Sequence, residues 1–248
     1  SRNAHRNMKV IICAAGKSRR MGKLTEVLPK PLLPIYNTTL LENLLFSLSK
    51  AEIKEVIIIV GYLGDLIKDK IGHHFNNINI IYITNDDFSS TNNMYSIFLA
   101  KEHIDQSMIF VSADVLLTPK TCRAFVDDKR DELILVDNNC KYFNDDDPVK
   151  VSINQNKIYA IDKKLKLNMV NGIACGMYKL SSLASKDFFK LSGEFIMEGK
   201  VNHGYIEPIK QMLSKHQFQP YYIKDQLWYD IDTPEEYSVV KELIKRAN

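Results

Sequence analysis

The 248-residue chain has no C-x-x-C pair, no long apolar run, no dense cationic patch and no internal repeat. Its four cysteines, Cys13, Cys122, Cys140 and Cys175, lie far apart, which argues against a zinc site and a compact disulfide framework. Three of them sit in or near apolar runs, where a free thiol behaves as a small hydrophobe, so a reduced, cytoplasmic setting is expected. No apolar stretch approaches the ~18 residues of a membrane helix. The polar segment Ser1–Asn7 lacks the apolar centre of a signal peptide; it reads as a foreign remnant, with Met8 as the natural start. The 33 basic and 30 acidic side chains give a net charge of +3, and the basic ones are dispersed. Nucleic acid is therefore not the expected partner, whereas an anionic small molecule remains open. With no linker or low-complexity segment, residues 8–248 are expected to form a single domain.

What is present alternates short apolar strands with amphipathic helices. Lys9–Ala14, Glu55–Val60, Ile78–Thr84, Met108–Val111 and Leu133–Val136 read as strands. Thr39–Ala51, Asn93–Glu102 and Lys120–Asp127 read as helices, the first capped by Thr38 or Thr39. This spacing predicts right-handed βαβ units and a mostly parallel sheet covered on both faces. The second half is richer in strands: a hairpin of Val149–Ile153 and Lys157–Ile161 joined at Asn154-Gln155-Asn156, a return strand Gly172–Leu180, and short strands Tyr221–Ile223 and Tyr229–Ile231. Helices are expected over Ser181–Leu191, Ile206–Lys215 and Glu235–Arg246, with Pro234 at the first position of the last.

Directly after the first strand comes Ala14-Ala15-Gly16-Lys17-Ser18-Arg19-Arg20-Met21-Gly22. Small residues there let backbone N–H groups approach a phosphate chain, and basic side chains neutralise it. The loop is neither G-x-G-x-x-G nor Walker A. Lys30 follows inside Leu28-Pro29-Lys30-Pro31-Leu32, where flanking prolines are expected to hold it in an extended, fixed segment.

The order strand, A-A-G-x-x-x-R-M-G, then P-K-P-L resembles the opening of the nucleotidyltransferase superfamily. The resemblance runs on through Gly61-Tyr62-Leu63, Thr91-Asn92-Asn93 with Ser96, Asp114 and Tyr229-Asp230-Ile231-Asp232-Thr233-Pro234. It implies a three-layer, Rossmann-like α/β fold with a mostly parallel mixed central sheet and a small β-rich part facing the substrate. The Thr-Asn-Asn-x-x-Ser stretch is most similar to bacterial phosphocholine and 2-aminoethylphosphonate cytidylyltransferases. One departure is Ser18, where many members carry a second glycine.

The resemblance implies a Mg²⁺-dependent enzyme that joins CTP to a small phosphate or phosphonate, such as 2-aminoethylphosphonate or a phosphoglutamine-like compound, in surface-polysaccharide or lipid decoration. Arg20 would hold the departing phosphates and Lys30 the α-phosphate. Ala14, Ala15, Gly16, Lys17 and Ser18 would line the nucleotide on one side, with Thr91, Asn92, Asn93 and Ser96 on the other. Asp114 and Asp232 would bind the metal.

Each residue also has a plainer reading. Asp114 and Asp232 each precede a helix they would suit as caps, and Asp230, two residues from Asp232, shares its strand face. Asn92 and Asn93 suit a helix N-terminus. Asp145-Asp146-x-x-Val149-Lys150-Val151, then Ile161-Asp162-Lys163-Lys164-Leu165, is similar to the aminoethylphosphonate enzymes. By that resemblance Lys150 is the first acceptor-phosphate candidate and Lys163 the second, and Asp145 to Asp147, Glu194 or Glu207 would meet a substrate ammonium or amide, with solvated hairpin charges the plain alternative. The segment where phosphocholine enzymes carry a pocket tryptophan reads Asp145-Asp146-Asp147-Pro148-Val149-Lys150, which disfavours phosphocholine, and the only tryptophan, Trp228, suits core packing. A sugar-1-phosphate nucleotidylyltransferase using UTP or dTTP and a non-catalytic nucleotide-binding subunit are the competing expectations. The aromatic content permits a homodimer without demanding one.

Overall fold

Apolar residues change sides at every step along the central strands, and that period of two builds two cores on one sheet. In β1 (Lys9–Ala14), Val10, Ile12 and Ala14 face one core and Ile11 the other. The structure is a computed structural model that describes residues 7–139, 146–224 and 231–247.

After β1 come a two-residue hairpin, β2 (Pro34–Ile35) and β3 (Thr38–Thr39), then α1 (Leu40–Lys50) and β4 (Glu55–Val60). Next are α2 (Gly64–Ile71), β5 (His74–Phe75), β6 (Ile78–Thr84), α3 (Asn93–Phe98), β7 (Met108–Ser112) and α4 (Pro119–Asp127). The rest of the chain gives β8 (Leu133–Asp137), β9 (Lys150–Asn154), β10 (Lys157–Asp162), β11 (Gly172–Leu180), α5 (Ser182–Met197), α6 (Ile206–Met212), β12 (Gln219–Tyr222) and α7 (Pro234–Ala247).

The main sheet runs β10-β9-β11-β7-β1-β4-β6-β5, with β8 paired to β11 and β12. Strands β7, β1, β4 and β6 are parallel, and β11 is antiparallel to β7, β8 and β9. One face is covered by the apolar sides of α1, α2 and α4 through Leu41, Leu44, Leu48, Ile67 and Phe125. The other is covered by α3, α5 and α6 through Ile97, Phe188 and Ile209. This is the three-layer, mostly parallel α/β arrangement that the resemblance implies. From β1 the chain winds outward to β4 and β6, then returns to place β7 on the opposite side of β1. The winding therefore reverses between β1 and β7, and such a switch point opens a crevice beyond the carboxyl ends of the strands.

Several expectations are corrected. The helix begun at Asn93 ends at Phe98, because i−4 bonding gives way to tighter i−3 bonds from Ala100 N to Ile97 O and from His103 N to Ala100 O. Helix α5 runs on to Met197, α6 stops at Met212, and β12 lies at Gln219–Tyr222. Lys30–Leu32 forms one 3₁₀ turn instead of an extended run, closed by bonds from Leu32 N to Pro29 O and from Leu33 N to Lys30 O. Pro29 supplies the entry dihedral and Pro31 sits where the turn needs no donor. The strand expected at Tyr229–Ile231 falls mostly outside the described residues, as do Cys140, Asp145, Trp228 and Asp230.

Candidate active site

The crevice at the switch point is a cavity of about 1340 Å³. Of the sequence-derived candidates, Ala14, Ala15, Gly16, Ser18, Arg20, Lys30, Thr91, Asn92, Asn93, Ser96, Asp114, Lys163, Glu207 and Asp232 line it; Lys17 and Lys150 do not. Lys17 is exposed and lies over the Tyr62 ring, 5.6 Å from its centroid. Lys150 is buried, and its ammonium donates to the carbonyls of Lys163 (2.7 Å) and Pro148 (3.4 Å). It sits inside β9, behind the wall it was expected to form. Lys163 takes that place in the wall and pairs with Asp147 at 3.4 Å.

The loop after β1 turns at Ser18, whose φ of 56° lies in the left-handed region that favours glycine. Beyond it, 3₁₀ turns over Arg19–Thr25 bring Arg20 to the cavity. The loop is braced by Tyr62, whose N–H donates to Ala15 O at 3.0 Å and whose hydroxyl donates to Thr25 O at 2.5 Å. Gly61 makes that close approach possible, since a Cβ there would fall 2.8 Å from Ala15 O and 2.8 Å from Phe88 Cβ.

At the floor of the crevice, Lys30 Nζ donates to Asp114 Oδ2 (2.8 Å), Asp232 Oδ1 (3.2 Å) and the carbonyl of Ile231 (2.8 Å). The three side chains are only 11–15% exposed. Burial alone lowers the Lys30 pKa, but the two carboxylates outweigh it and hold the ammonium well above its ordinary value. Arg20 extends the array, reaching Asp232 Oδ2 at 3.1 Å and Asp147 Oδ2 at 2.5 Å. Burial, with Asp114 adding to it, pushes the neighbouring Cys13 thiol up to about 12, so it is a neutral wall residue rather than a nucleophile.

The plainer readings can be checked against the helix caps. Helix α4 is capped by Thr118, which accepts from Thr121 N, and α7 begins with Glu236 N donating to Thr233 Oγ1. Asp114 and Asp232 are thus released from capping and turn to Lys30. Glu236, which the sequence reading passed over, accepts from Asp232 N at 2.7 Å and steadies that turn; its signal was the Thr-Pro-Glu-Glu spacing of a capping box. Asn92, by contrast, does cap α3, accepting from Asn93 N, and donates to Asn202 O. Asn93 Oδ1 accepts from Tyr205 N. Glu207 pairs with Lys210, which also holds Asp162. Asn85 and Phe88 line the cavity without having been singled out, because Thr84-Asn85-Asp86-Asp87 reads as an ordinary strand-ending turn.

Among the described residues, no cluster of three or more His, Cys, Asp or Glu side chains is placed to hold a metal ion. Two carboxylates on one cation are what the site offers, and that donor set suits Mg²⁺, which takes few protein ligands and completes its shell with water and phosphate oxygens. No helix among the described residues is long and apolar enough to cross a membrane.

Fold and site together define an α/β protein with a crevice of opposed charges at a topological switch point. The chain belongs to the family of MobA-like NTP transferase domains, whose model matches residues 10–143. It is 32% identical over 112 residues to a CMP-5'-(3-aminopropyl)phosphonate synthase of Streptomyces rubellomurinus, covering 45% of this chain and 18% of that one. It is 36% identical over 110 residues to a choline-phosphate cytidylyltransferase of Streptococcus pneumoniae, covering 43% of this chain and 44% of that one. These matches span less than half the length of either relative. In fold, the inositol-1-phosphate CTP transferase of T. maritima superposes with a TM-score of 0.78 at 20% identity, covering 96% of this chain and 95% of that one. A UDP-glucose pyrophosphorylase superposes with a TM-score of 0.81 at 14% identity, covering 97% and 99%. The fold is thus shared by proteins named for different nucleotides.

Proposed function

We propose that this protein is a cytidylyltransferase that joins CTP to a small phosphate or phosphonate and releases pyrophosphate. The observation that carries the reading is the buried Lys30 ammonium held between Asp114 and Asp232 at the switch point, with Arg20 alongside. The relatives named for CMP-phosphonate synthesis and choline-phosphate cytidylyl transfer support cytosine as the base and a phosphorus oxyanion as acceptor.

The acceptor oxygen is already anionic at neutral pH, so the site needs no general base. An oxygen of the acceptor attacks the α-phosphorus, the bond to the β-phosphate bridging oxygen breaks, and pyrophosphate leaves with that electron pair. Catalysis then rests on positioning and on stabilising charge. Lys30, kept charged by its two carboxylates, meets the growing negative charge at the α-phosphate. Arg20 neutralises the leaving phosphates. Asp114 and Asp232 would hold Mg²⁺, which supplies Lewis-acid neutralisation of phosphate oxygens when bound. Lys163, at the wall beside Asp147, is the acceptor-phosphate residue, and Glu207 faces the far end of the acceptor. Acceptors of the 2-aminoethylphosphonate or phosphoglutamine type fit a wall that carries both Lys163 and carboxylates. We place the activity in the cytoplasm, serving cell-surface decoration.

The test is pyrophosphate release from each of CTP, UTP, dTTP, ATP and GTP with Mg²⁺ and a panel of phosphate and phosphonate acceptors. Release with CTP and such an acceptor supports the proposal. Release only with UTP or dTTP and a hexose 1-phosphate would replace it with the sugar-nucleotide reading, and none with any combination would leave a nucleotide-binding subunit.

A further inference from the structure

Asn85, just past the end of β6, is 1% exposed and lines the same cavity as Lys30. Its Nδ2 donates to both Thr91 Oγ1 and Ser96 Oγ, each at 3.0 Å. Its Oδ1 accepts from Asp87 N at 3.0 Å, and this bond fixes the amide orientation, since only the oxygen can face an N–H. Both amide hydrogens are consequently spent on the two hydroxyls.

The consequence for each hydroxyl differs. Thr91 donates its one proton to Asp87 O at 2.8 Å while accepting from Asn85. What it has left for the cavity is a lone pair. Ser96 accepts from Asn85 and has no acceptor for its own proton among the described residues. It retains an O–H to donate, although the residue is only 4% exposed. The wall therefore presents an acceptor at Thr91 and a donor at Ser96, and the handedness of that pair is set by one buried amide.

We infer that Asn85 is a positioning residue that fixes the polarity of the Thr91 and Ser96 hydroxyls toward the nucleotide base and so favours a cytosine edge over a uracil edge. The inference rests on the cytidylyltransferase reading. Cytosine presents an amino donor beside a ring-nitrogen acceptor, the complement of an acceptor beside a donor. Uracil presents the reverse at the same two positions. Thr91 cannot reverse without giving up its bond to Asp87 O, so a uracil carbonyl would face a lone pair.

Equilibrium binding of CTP and UTP to the purified chain tests this without knowledge of the acceptor. Wild type is expected to bind CTP more tightly. Asn85→Asp replaces the donor by an acceptor, turns the Ser96 proton inward so that a lone pair faces the base there, and is expected to lower the CTP-to-UTP affinity ratio about tenfold, the worth of one hydrogen bond. Thr91→Val keeps the volume, removes the lone pair, and is expected to lower the ratio similarly. It decides the matter if the buried Asn85→Asp change prevents folding, and thermal melting reports which variants are folded. The double variant should lose more than either single one, because Asn85→Asp acts at the Ser96 donor and Thr91→Val at the Thr91 acceptor. A wild-type ratio in a folded variant, or an equal weakening of both nucleotides, overturns the role of Asn85 and leaves the cytidylyltransferase reading standing. Preferential binding of UTP by wild type overturns that reading itself.

Discussion

A lysine buried between two carboxylates is costly to disrupt from any side, because removing one partner leaves uncompensated charge behind. Lys30 is the case in point: it donates to three protein acceptors. If its role is to stabilise charge that grows during the displacement, Lys30→Ala should lower kcat by roughly 100-fold or more while the KM for CTP changes less than tenfold. Steady-state kinetics at saturating acceptor read this directly, and an unchanged kcat would remove Lys30 from the mechanism. At this scale the sequence told much. Arg20, Lys30, Asp114 and Asp232 were singled out by the motifs that carry the family resemblance, and they do meet in one cavity. Lys150 was not: a lysine on an alternating strand looks solvent-facing, and only the tertiary fold sets its ammonium on the carbonyls of Pro148 and Lys163. Asn85 was hidden for a similar reason, its partner Ser96 lying 11 residues away across a turn.

Elements that carry strong local signals were readable to within a residue or two. Strands β4, β6 and β11 coincide with their apolar runs, and α1 begins at its Thr39 cap, which accepts from Glu42 N. In the β9–β10 hairpin, Gln155 and Asn156 take φ of 49° and 60°, the pair of left-handed dihedrals that suits a tight two-residue turn. Helix α2 escaped notice because it is eight residues long and starts after Leu63, at φ 50°, with no side-chain cap. Where α4 ends, Asp128 accepts from Arg130 N, Nε and Nη2, each at 2.9 Å, and Arg130 Nη1 reaches Pro220 O on β12. Hydrogen bonding from Arg130, against the opposing effect of burial, holds the Asp128 carboxyl below its usual range. A depressed carboxyl pKa contributes stability above the unfolded-state value, and this is lost as pH falls through the folded-state value. Asp128→Asn should therefore cost about 0.5–1.5 kcal/mol at neutral pH, and the gap from wild type should shrink as the pH drops below ~4. Urea unfolding at pH 7 and pH 3 checks it; a gap that stays constant would show that the charge on Asp128 is irrelevant.

The whole molecule is needed to make the site. The loop over residues 14–22 follows β1, Asp114 follows β7, and Asp232 precedes α7, so residues far apart in the chain converge only when the sheet reverses its winding between β1 and β7. Alternating strands and helices foretold a parallel sheet. The strand order could not be read from them, because the same apolar alternation serves any position in a two-faced sheet. Identity of the base and acceptor lies at a finer level still, since proteins named for CTP and for UDP-glucose share this fold. The central claim is that Asp114 and Asp232, brought together by that topology, form a divalent-cation site at the reacting phosphate. The measurement that tests it most directly is a Mg²⁺ titration of CTP-dependent pyrophosphate release in wild type, Asp114→Asn and Asp232→Asn, with folding of each checked by thermal melting. Wild type should rise from negligible release to saturation, and each variant should fall by roughly 100-fold or more at saturating metal. A wild-type Mg²⁺ response in either folded variant would contradict the account.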